Sequence, residues 1–322
     1  MANVFLLNEE ELVQKDDSAD GLFEVGENGI LKILATADDK VDFIVYENGQ
    51  VLTYVKSKMG YPAIYPLNPV RIKKPIKAVL MDLDGTSVRS EEFWIWIIEQ
   101  TTARLLDNPK FQLEDSDFPY VSGHSVSEHL QHCIEKYCPD KTVEEARKYY
   151  FEITKREMKA ILDGTGRVDA FVPTPGLKDF LYALKEKNIK IGLVTSGLYE
   201  KAFPEIYAAF KQLGMGDPCE FYDAIITAGF AIRKGEVGTL GELEPKPHPW
   251  LYAETARVGL GIDFADRNHV VGIEDSGAGV VAIRLAGFSC IGFDGGNIKE
   301  SGTTGLCSDY CKSFDEILKI IN

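Results

Sequence analysis

The chain has 322 residues, with 35 Lys and Arg against 50 Asp and Glu and a formal net charge of −15. That balance leaves no basic stripe to neutralise phosphates, which excludes a nucleic-acid partner, and any anionic ligand must be held by a few local groups rather than by a global field. A content of 45% apolar and 26% charged residues is that of a globular protein, long enough for one large domain or a few ordinary ones.

The start, Met1 to Glu10, has a short apolar run with no basic region before it, so no signal peptide is expected. No segment has the apolar length of a bilayer span. Six scattered cysteines read as reduced thiols, and a cytoplasmic protein is expected. Cys307 and Cys311 have near-metal spacing, and His129, His132 and Cys133 cluster on one helix, but neither set has a second pair to complete a zinc site.

Residues 1–75 differ from the rest. Ile30–Thr36, Val41–Tyr46 and Val51–Val55 are β-like, and Glu47-Asn48-Gly49-Gln50 between the last two is a hairpin signal. This region is expected to be a β-rich extension, with the proline-rich stretch Tyr61 to Pro75 as its linker. A buried strand follows at 77–81. Helical patterns then run over Glu91–Leu106, Val126–Tyr137 and Val143–Leu162, making a helical block over 88–172. From Pro173 onward strands and helices alternate, with strands over 189–195, 222–227, 269–273 and 289–293 and helices over 176–187, 199–213, 249–258, 277–286 and 313–321. Such alternation predicts an α/β fold with a parallel sheet, interrupted after its first strand by the helical insertion. The expected division is an extension at 1–75, a core of 76–87 and 173–322, and an inserted block at 88–172.

Four strand ends carry the chemistry. The strand over Ala78–Met81 ends in Asp82-Leu83-Asp84-Gly85-Thr86, whose two carboxylates are two positions apart and so point the same way in an extended chain. Paired carboxylates repel, and a hard divalent cation is the usual compensation. An ordinary strand-to-turn exit is the competing reading of that stretch alone. The second strand end, Ile191–Val194, runs into Thr195-Ser196-Gly197. Its hydroxyls and backbone N–H groups suit a phosphate oxygen, or equally a helix cap. The third segment, Glu244-Pro245-Lys246-Pro247-His248-Pro249, places a cation between prolines. There His248 reads as a loop residue. The fourth, Val270–Ile273, ends in Glu274-Asp275, where Asp275 could join an oxygen-ligand set, or Ser276 could simply cap a helix.

In this order the four segments resemble the haloacid dehalogenase (HAD) superfamily. The Glu274-Asp275-Ser276-Gly277-Ala278-Gly279 and Lys246-Pro247-x-Pro249 patterns are similar to its beta-phosphoglucomutase and phosphoglycolate-phosphatase branch, which carries a helical cap where this chain has its block. The resemblance covers residues 76–322 and implies a Rossmann-like core with an inserted helical cap. It implies Asp82 as nucleophile forming an aspartyl-phosphate and Asp84 as general acid and base. It implies Thr195, Ser196 and Lys246 as phosphate-binding groups. It further implies Mg²⁺ held by Asp82, the backbone carbonyl of Asp84 and Asp275, with Glu274 close by. The chain departs from the branch at Ser87-Val88-Arg89-Ser90, where Arg89 stands in place of a common acid and adds a cation near the substrate or alters the cap hinge. It departs again at Gly229–Glu244, which is long enough for an extra hairpin. His124, in Ser122-Gly123-His124-Ser125, is the candidate for a specificity contact, or an exposed loop histidine.

The expected function is a Mg²⁺-dependent phosphatase acting on a small phosphorylated metabolite, a sugar phosphate among the candidates, beneath a cap that excludes water. A phosphomutase on the same core is the alternative. A C–P bond hydrolase would need a cap lysine, for which Lys136, Lys155 and Lys159 have no distinctive context. A dehalogenase has no need of the acid Asp84. A non-catalytic binding protein, working through residues 1–75 as a protein-recruiting module, is a further alternative, against which stands a stabilising β extension.

Overall fold

The computed structural model describes residues 9–57, 62–121, 126–167, 170–228, 231–233, 236–237 and 243–322, with only the backbone over 231–233 and 236–237. The chain divides into two compact units. One comprises residues 1–86, 175–198 and 219–322; the other comprises 87–174 and 199–218.

The first unit opens with β1 (Val13–Lys15), β2 (Ile30–Ala35), β3 (Val41–Tyr46), β4 (Val51–Val55) and β5 (Ala63–Pro66), an antiparallel sheet in that order. The β3–β4 hairpin pairs Val45 with Val51 and turns through Gly49 at φ +82°, as the Asn-Gly signal predicts. β5 lies inside the stretch expected to be a linker. Its one proline, Pro66, is compatible with a strand because β5 is at the sheet edge, where a missing N–H costs no ladder bond. One sheet face buries Ile33, Ile44 and Tyr54 under Phe23. On the other, Val55 and Ala63 join Trp250 and Leu285 in one apolar cluster, and the Thr53 hydroxyl donates to the Leu285 carbonyl at 3.0 Å. The extension therefore shares a core with the α/β part of its unit.

β6 (Ala78–Asp82) begins the main sheet. The chain then passes into the second unit through β7 (Val88–Arg89), α1 (Glu91–Leu105), α2 (Val126–Tyr137), α3 (Val143–Leu162) and β8 (Val172–Pro173). It returns as α4 (Leu177–Glu186) and β9 (Lys190–Val194), contributes α5 (Tyr199–Gln212) to the second unit, and comes back through the single turn α6 (Pro218–Phe221). β10 (Ala224–Ile226), the hairpin β11 (Ala231–Arg233) and β12 (Glu236–Val237), α7 (Trp250–Glu254), β13 (Val270–Glu274), α8 (Gly277–Leu285), β14 (Ser289–Phe293), β15 (Asp309–Cys311) and α9 (Phe314–Ile321) complete the first unit.

The main sheet runs β12-β11-β10-β9-β6-β13-β14-β15, parallel except for the β11–β12 hairpin, which forms one edge. All five residues of β6 and of β13 are buried, as a parallel sheet covered on both faces requires. α7 and α8 share a cluster with Ala78, Leu80 and Val194, and Gly272 lets α8 approach β13, since a Cβ there would stand 2.5 Å from Ile283 Cδ1. α4 and α9 pack through stacked Phe180 and Phe314.

In the second unit α3 contacts α1, α2 and α5. Phe93 and Phe171 pack at 4.5 Å, and Trp94 Nε1 donates to Glu205 on α5 at 2.9 Å. Asp117 is a buried hub: it receives hydrogen bonds from the Lys136 ammonium at 2.7 Å, the Tyr137 hydroxyl and the Glu114 backbone N–H at 2.9 Å, and contacts His132 Nε2 at 2.8 Å. This unit includes α5 as well as the expected 88–172, because α5 contacts α3.

Candidate active site

β6 is central in the sheet, flanked by β9 and β13 in parallel register, with Met81 opposite Ile273 and Asp82 opposite Val194. Register alone therefore brings Asp82, the last residue of β6, beside Glu274, the last of β13, and beside Thr195, which follows β9. Ligands of open α/β sheets bind at this carboxyl edge.

Carboxylate oxygens of Asp82, Glu274 and Asp275 lie within 4.8 Å of one another, and all three residues are buried. The Lys246 ammonium bridges two of them, bonding Asp82 Oδ1 and Glu274 Oε1, the latter at 2.5 Å. The Lys246 backbone N–H donates to Ser196 Oγ at 3.0 Å, which fixes the proline-bounded loop to the end of β9. Thr195 Oγ1 lies 3.5 Å from Asp84 Oδ2 and accepts the Gly197 N–H at 3.0 Å. Six of the seven core positions expected from sequence are thus linked by direct contacts through Lys246, Ser196 and the carboxylate group, or through Thr195 and Asp84, at one sheet edge. Asp275 is tied in by Thr86, whose hydroxyl donates to its Oδ1 at 3.2 Å.

Two glycines make this crowding feasible. Gly85 has φ +84°, and a Cβ there would fall 2.1 Å from Asp275 Oδ2. At Gly279 a Cβ would fall 1.7 Å from Glu274 Oε1. Both positions therefore require a residue without a side chain.

The electrostatics follow from three buried acids and one cation. Burial, then the Glu274 charge, pushes the Asp82 carboxyl well above its ordinary value, with Lys246 opposing. The same two causes raise Asp275 to about 7, against Lys246 and the Thr86 hydroxyl. Burial works to lower Lys246, but Asp82 and Glu274 outweigh it and hold the ammonium charged. One cation does not neutralise three carboxylates. An all-oxygen donor set with raised proton affinity fits a hard divalent ion such as Mg²⁺, which would replace those protons.

Three contributors went unassigned or underassigned in sequence. Tyr252 on α7 donates its hydroxyl to Glu274 Oε1 at 3.1 Å, and its ring lies 5.2 Å from the Lys246 ammonium. Ser276 donates to Glu274 Oε2 from its N–H at 2.8 Å and its hydroxyl at 2.9 Å while capping α8. Thr86 fixes Asp275. Ser276, as an expected cap, and Thr86, as the end of the Asp82–Thr86 motif, had local signals; Tyr252 looks like any core aromatic.

His248 is buried rather than exposed on its loop. Its Nδ1 accepts the Trp250 N–H at 3.3 Å, and burial lowers its pKa to about 4. His124 lies outside the described residues. Arg89 is exposed on β7, opposite Val172, in the second unit. Of the helical-block lysines, Lys136 is held by Asp117 and Glu114, and Lys159 by Asp163. Among the described residues no helix is long and apolar enough to cross a membrane.

The chain resembles known proteins over most of its length. It is 26% identical over 223 residues to validoxylamine A 7'-phosphate phosphatase of Streptomyces hygroscopicus subsp. limoneus, covering 67% of this chain and 84% of that protein. Its fold matches CbbY of Rhodobacter sphaeroides, solved with phosphate, at a TM-score of 0.53 and 21% identity, covering 75% of this chain and 96% of CbbY. A Haemophilus somnus 129pt protein described as a predicted phosphoglycolate phosphatase superposes with a TM-score of 0.57 at 18% identity, over 77% of this chain and 99% of that one. Residues 76–287 match the model of the haloacid dehalogenase-like hydrolases, and the chain belongs to that family.

Proposed function

We propose that this chain is a phosphatase that hydrolyses a small phosphomonoester through an aspartyl-phosphate on Asp82, with Mg²⁺ as its metal. The observation that carries the reading is the convergence of Asp82, Glu274 and Asp275 within 4.8 Å around the ammonium of Lys246. The similarity to a phosphatase named for a 7'-phosphate ester supports the reaction class.

In this reading a carboxylate oxygen of Asp82 attacks phosphorus, the ester P–O bond breaks, and Asp84 delivers its proton to the leaving oxygen. Asp84 then takes a proton from water as that water attacks the aspartyl-phosphate phosphorus. Inorganic phosphate leaves and the Asp82 carboxylate returns. Lys246, Thr195 and Ser196 hold the phosphoryl oxygens, Lys246 as a fixed charge, Thr195 through its hydroxyl and Ser196 through its backbone N–H. Asp82, Asp275 and the Asp84 carbonyl would hold the metal, with Glu274 beside them. When bound it shields the negative charge of nucleophile and phosphate from each other. Glu274 anchors Lys246.

Release of phosphate from a panel of small phosphomonoesters, with Mg²⁺ or with chelator, tests this reading on wild type and Asp82→Asn. Metal-dependent release that the variant loses supports it. No release from any ester, with Asp82 nevertheless phosphorylated by a sugar bisphosphate, would replace hydrolysis by transfer to a sugar hydroxyl.

A further inference from the structure

The segment joining β5 to β6 crosses the first unit at the amino edge of its parallel strands, the edge opposite Asp82 and Glu274. Over residues 68–73 it encloses a cleft of about 380 Å³ against Gly287 and Ser289. Asn68, Arg71, Lys73, Asn268 and Ser289 supply polar groups, and Pro69 and Ile72 an apolar wall. No acid lines it.

Among the described residues the cations around this cleft make no salt bridge; Glu254 and Asp266 act on Arg267 and Lys73 only at longer range. Neither Arg71 nor Lys73 makes a salt bridge or side-chain hydrogen bond among the described residues. Asp266, the carboxylate that Lys73 influences, is paired with Lys77 at 2.6 Å. Behind the cleft Arg284 is fully buried. Its guanidinium donates to the carbonyls of Asn68 at 2.6 Å and Phe288 at 2.7 Å, and its Nε has no partner among the described residues. Arg267, next to Asn268, is also buried; it donates to the Ala286 carbonyl and packs against the rings of Tyr65, Phe264 and Phe288, again with Nε unpartnered. Burying cations against carbonyls and rings, with no carboxylate in a salt bridge to either among the described residues, is costly unless an anion is near.

In a chain of net charge −15, four cations without a bound acid around one turn, 286–289, are not background. We propose that this cleft binds a phosphate-bearing small molecule, held by Arg71 and Lys73 against the Gly287–Ser289 turn, as an anion site separate from the Asp82 centre. Two free cations match a dianion, and the Arg71 guanidinium fork with the Asn268 amide suits tetrahedral oxygens, while Asn68 and Ser289 brace the cleft by donating to the Gly287 and Arg71 carbonyls, both at 2.7 Å. The volume is in the range of small-molecule sites. Its polar wall comes from the extension and its floor from the core, so the bound anion would fasten one to the other. α8 runs from Gly277, beside the acid pair, to Leu285, beside the turn, a rise of about 12 Å along one helix.

Calorimetric titration with inorganic phosphate in EDTA, on the full chain, tests this. Three proteins are compared: wild type, Lys246→Ala, and Arg71→Gln/Lys73→Gln, each checked for folding by circular dichroism. Saturable binding retained in Lys246→Ala and weakened about tenfold or more in the double glutamine variant is expected. Binding lost in Lys246→Ala but kept in the double variant would assign the anion to the Asp82 centre and overturn the proposal. So would the absence of saturable binding at millimolar phosphate in wild type. Citrate binding as tightly as phosphate at matched ionic strength would overturn the phosphate assignment.

Discussion

Asp275 is held protonatable near neutrality by burial and by Glu274, and this has opposite consequences for stability and activity. Its folded-state pKa, about 7, lies above its ordinary value near 4, so the folded chain binds more protons than the unfolded one between those limits. The stability of the metal-free protein from this group is therefore full below about pH 4 and falls as pH rises to about 7. Denaturant unfolding in EDTA across that range should show the decline, and adding Mg²⁺ at pH 8 should reverse it. A flat or rising profile would contradict the crowding argument. Asp275→Asn removes the repulsion while keeping an acceptor for Thr86. It should stabilise the metal-free protein at pH 8 by on the order of 2 kcal/mol while abolishing metal-dependent phosphate release. Lys246→Met does the reverse of this at the neighbouring acids. It strips the counter-charge from Asp82 and Glu274 and should lower kcat by about 100-fold or more while destabilising the metal-free protein at pH 8. A variant with wild-type kcat would remove Lys246 from the phosphate site.

Among the elements, α2 and α3 follow the boundaries read from the sequence because their apolar positions recur at helical period and Thr142 caps α3. β5 was hidden by Pro66 and the prolines around it, which disqualify a central strand and not an edge one. The segment Asp115–Tyr120 shows what periodicity omits: Asp117 organises three side chains from α2 without any local pattern announcing it. Burial acts to raise its carboxyl, but hydrogen bonds from Lys136, Tyr137 and His132 prevail and hold it below the usual carboxylate range. A depressed carboxylate contributes stability that is present above its ordinary pKa, about 4, and is lost as pH falls below it. Asp117→Asn should cost about 2–3 kcal/mol, since hydrogen bonds to a buried charge are worth more than neutral ones. Chemical denaturation checks the value, and an unchanged midpoint would make the hub dispensable.

Across the whole molecule, residues 1–75 are not an appendage among their described parts. Thr53, Val55, Ala63 and Asn68 reach the α8 end of the core, and the Asn68 carbonyl accepts one of the two hydrogen bonds that buried Arg284 makes among the described residues. Deleting residues 1–74 exposes that apolar cluster and strands the guanidinium. The truncated chain should lose about 10 °C or more in Tm, or fail to stay soluble. Retention of the full-length Tm would instead free the extension for a recruiting role.

Taken alone, the amino-acid sequence determined the parallel α/β core, the presence of a helical insertion and the four strand ends that carry acids, hydroxyls and Lys246. It could do so because buried strands, turns and proline-bounded loops are local patterns, and because chemistry at an open sheet is confined to one edge. The tertiary structure alone decided that Tyr252 and Ser276 hold Glu274, that Thr86 holds Asp275, that α5 packs with the inserted helices, and that Arg284 is buried beneath the extension. These depend on strand order, register and the approach of helices at Gly272 and Gly279. They bring together residues as far apart in the chain as Asn68 and Arg284, and no period in the sequence records such pairings.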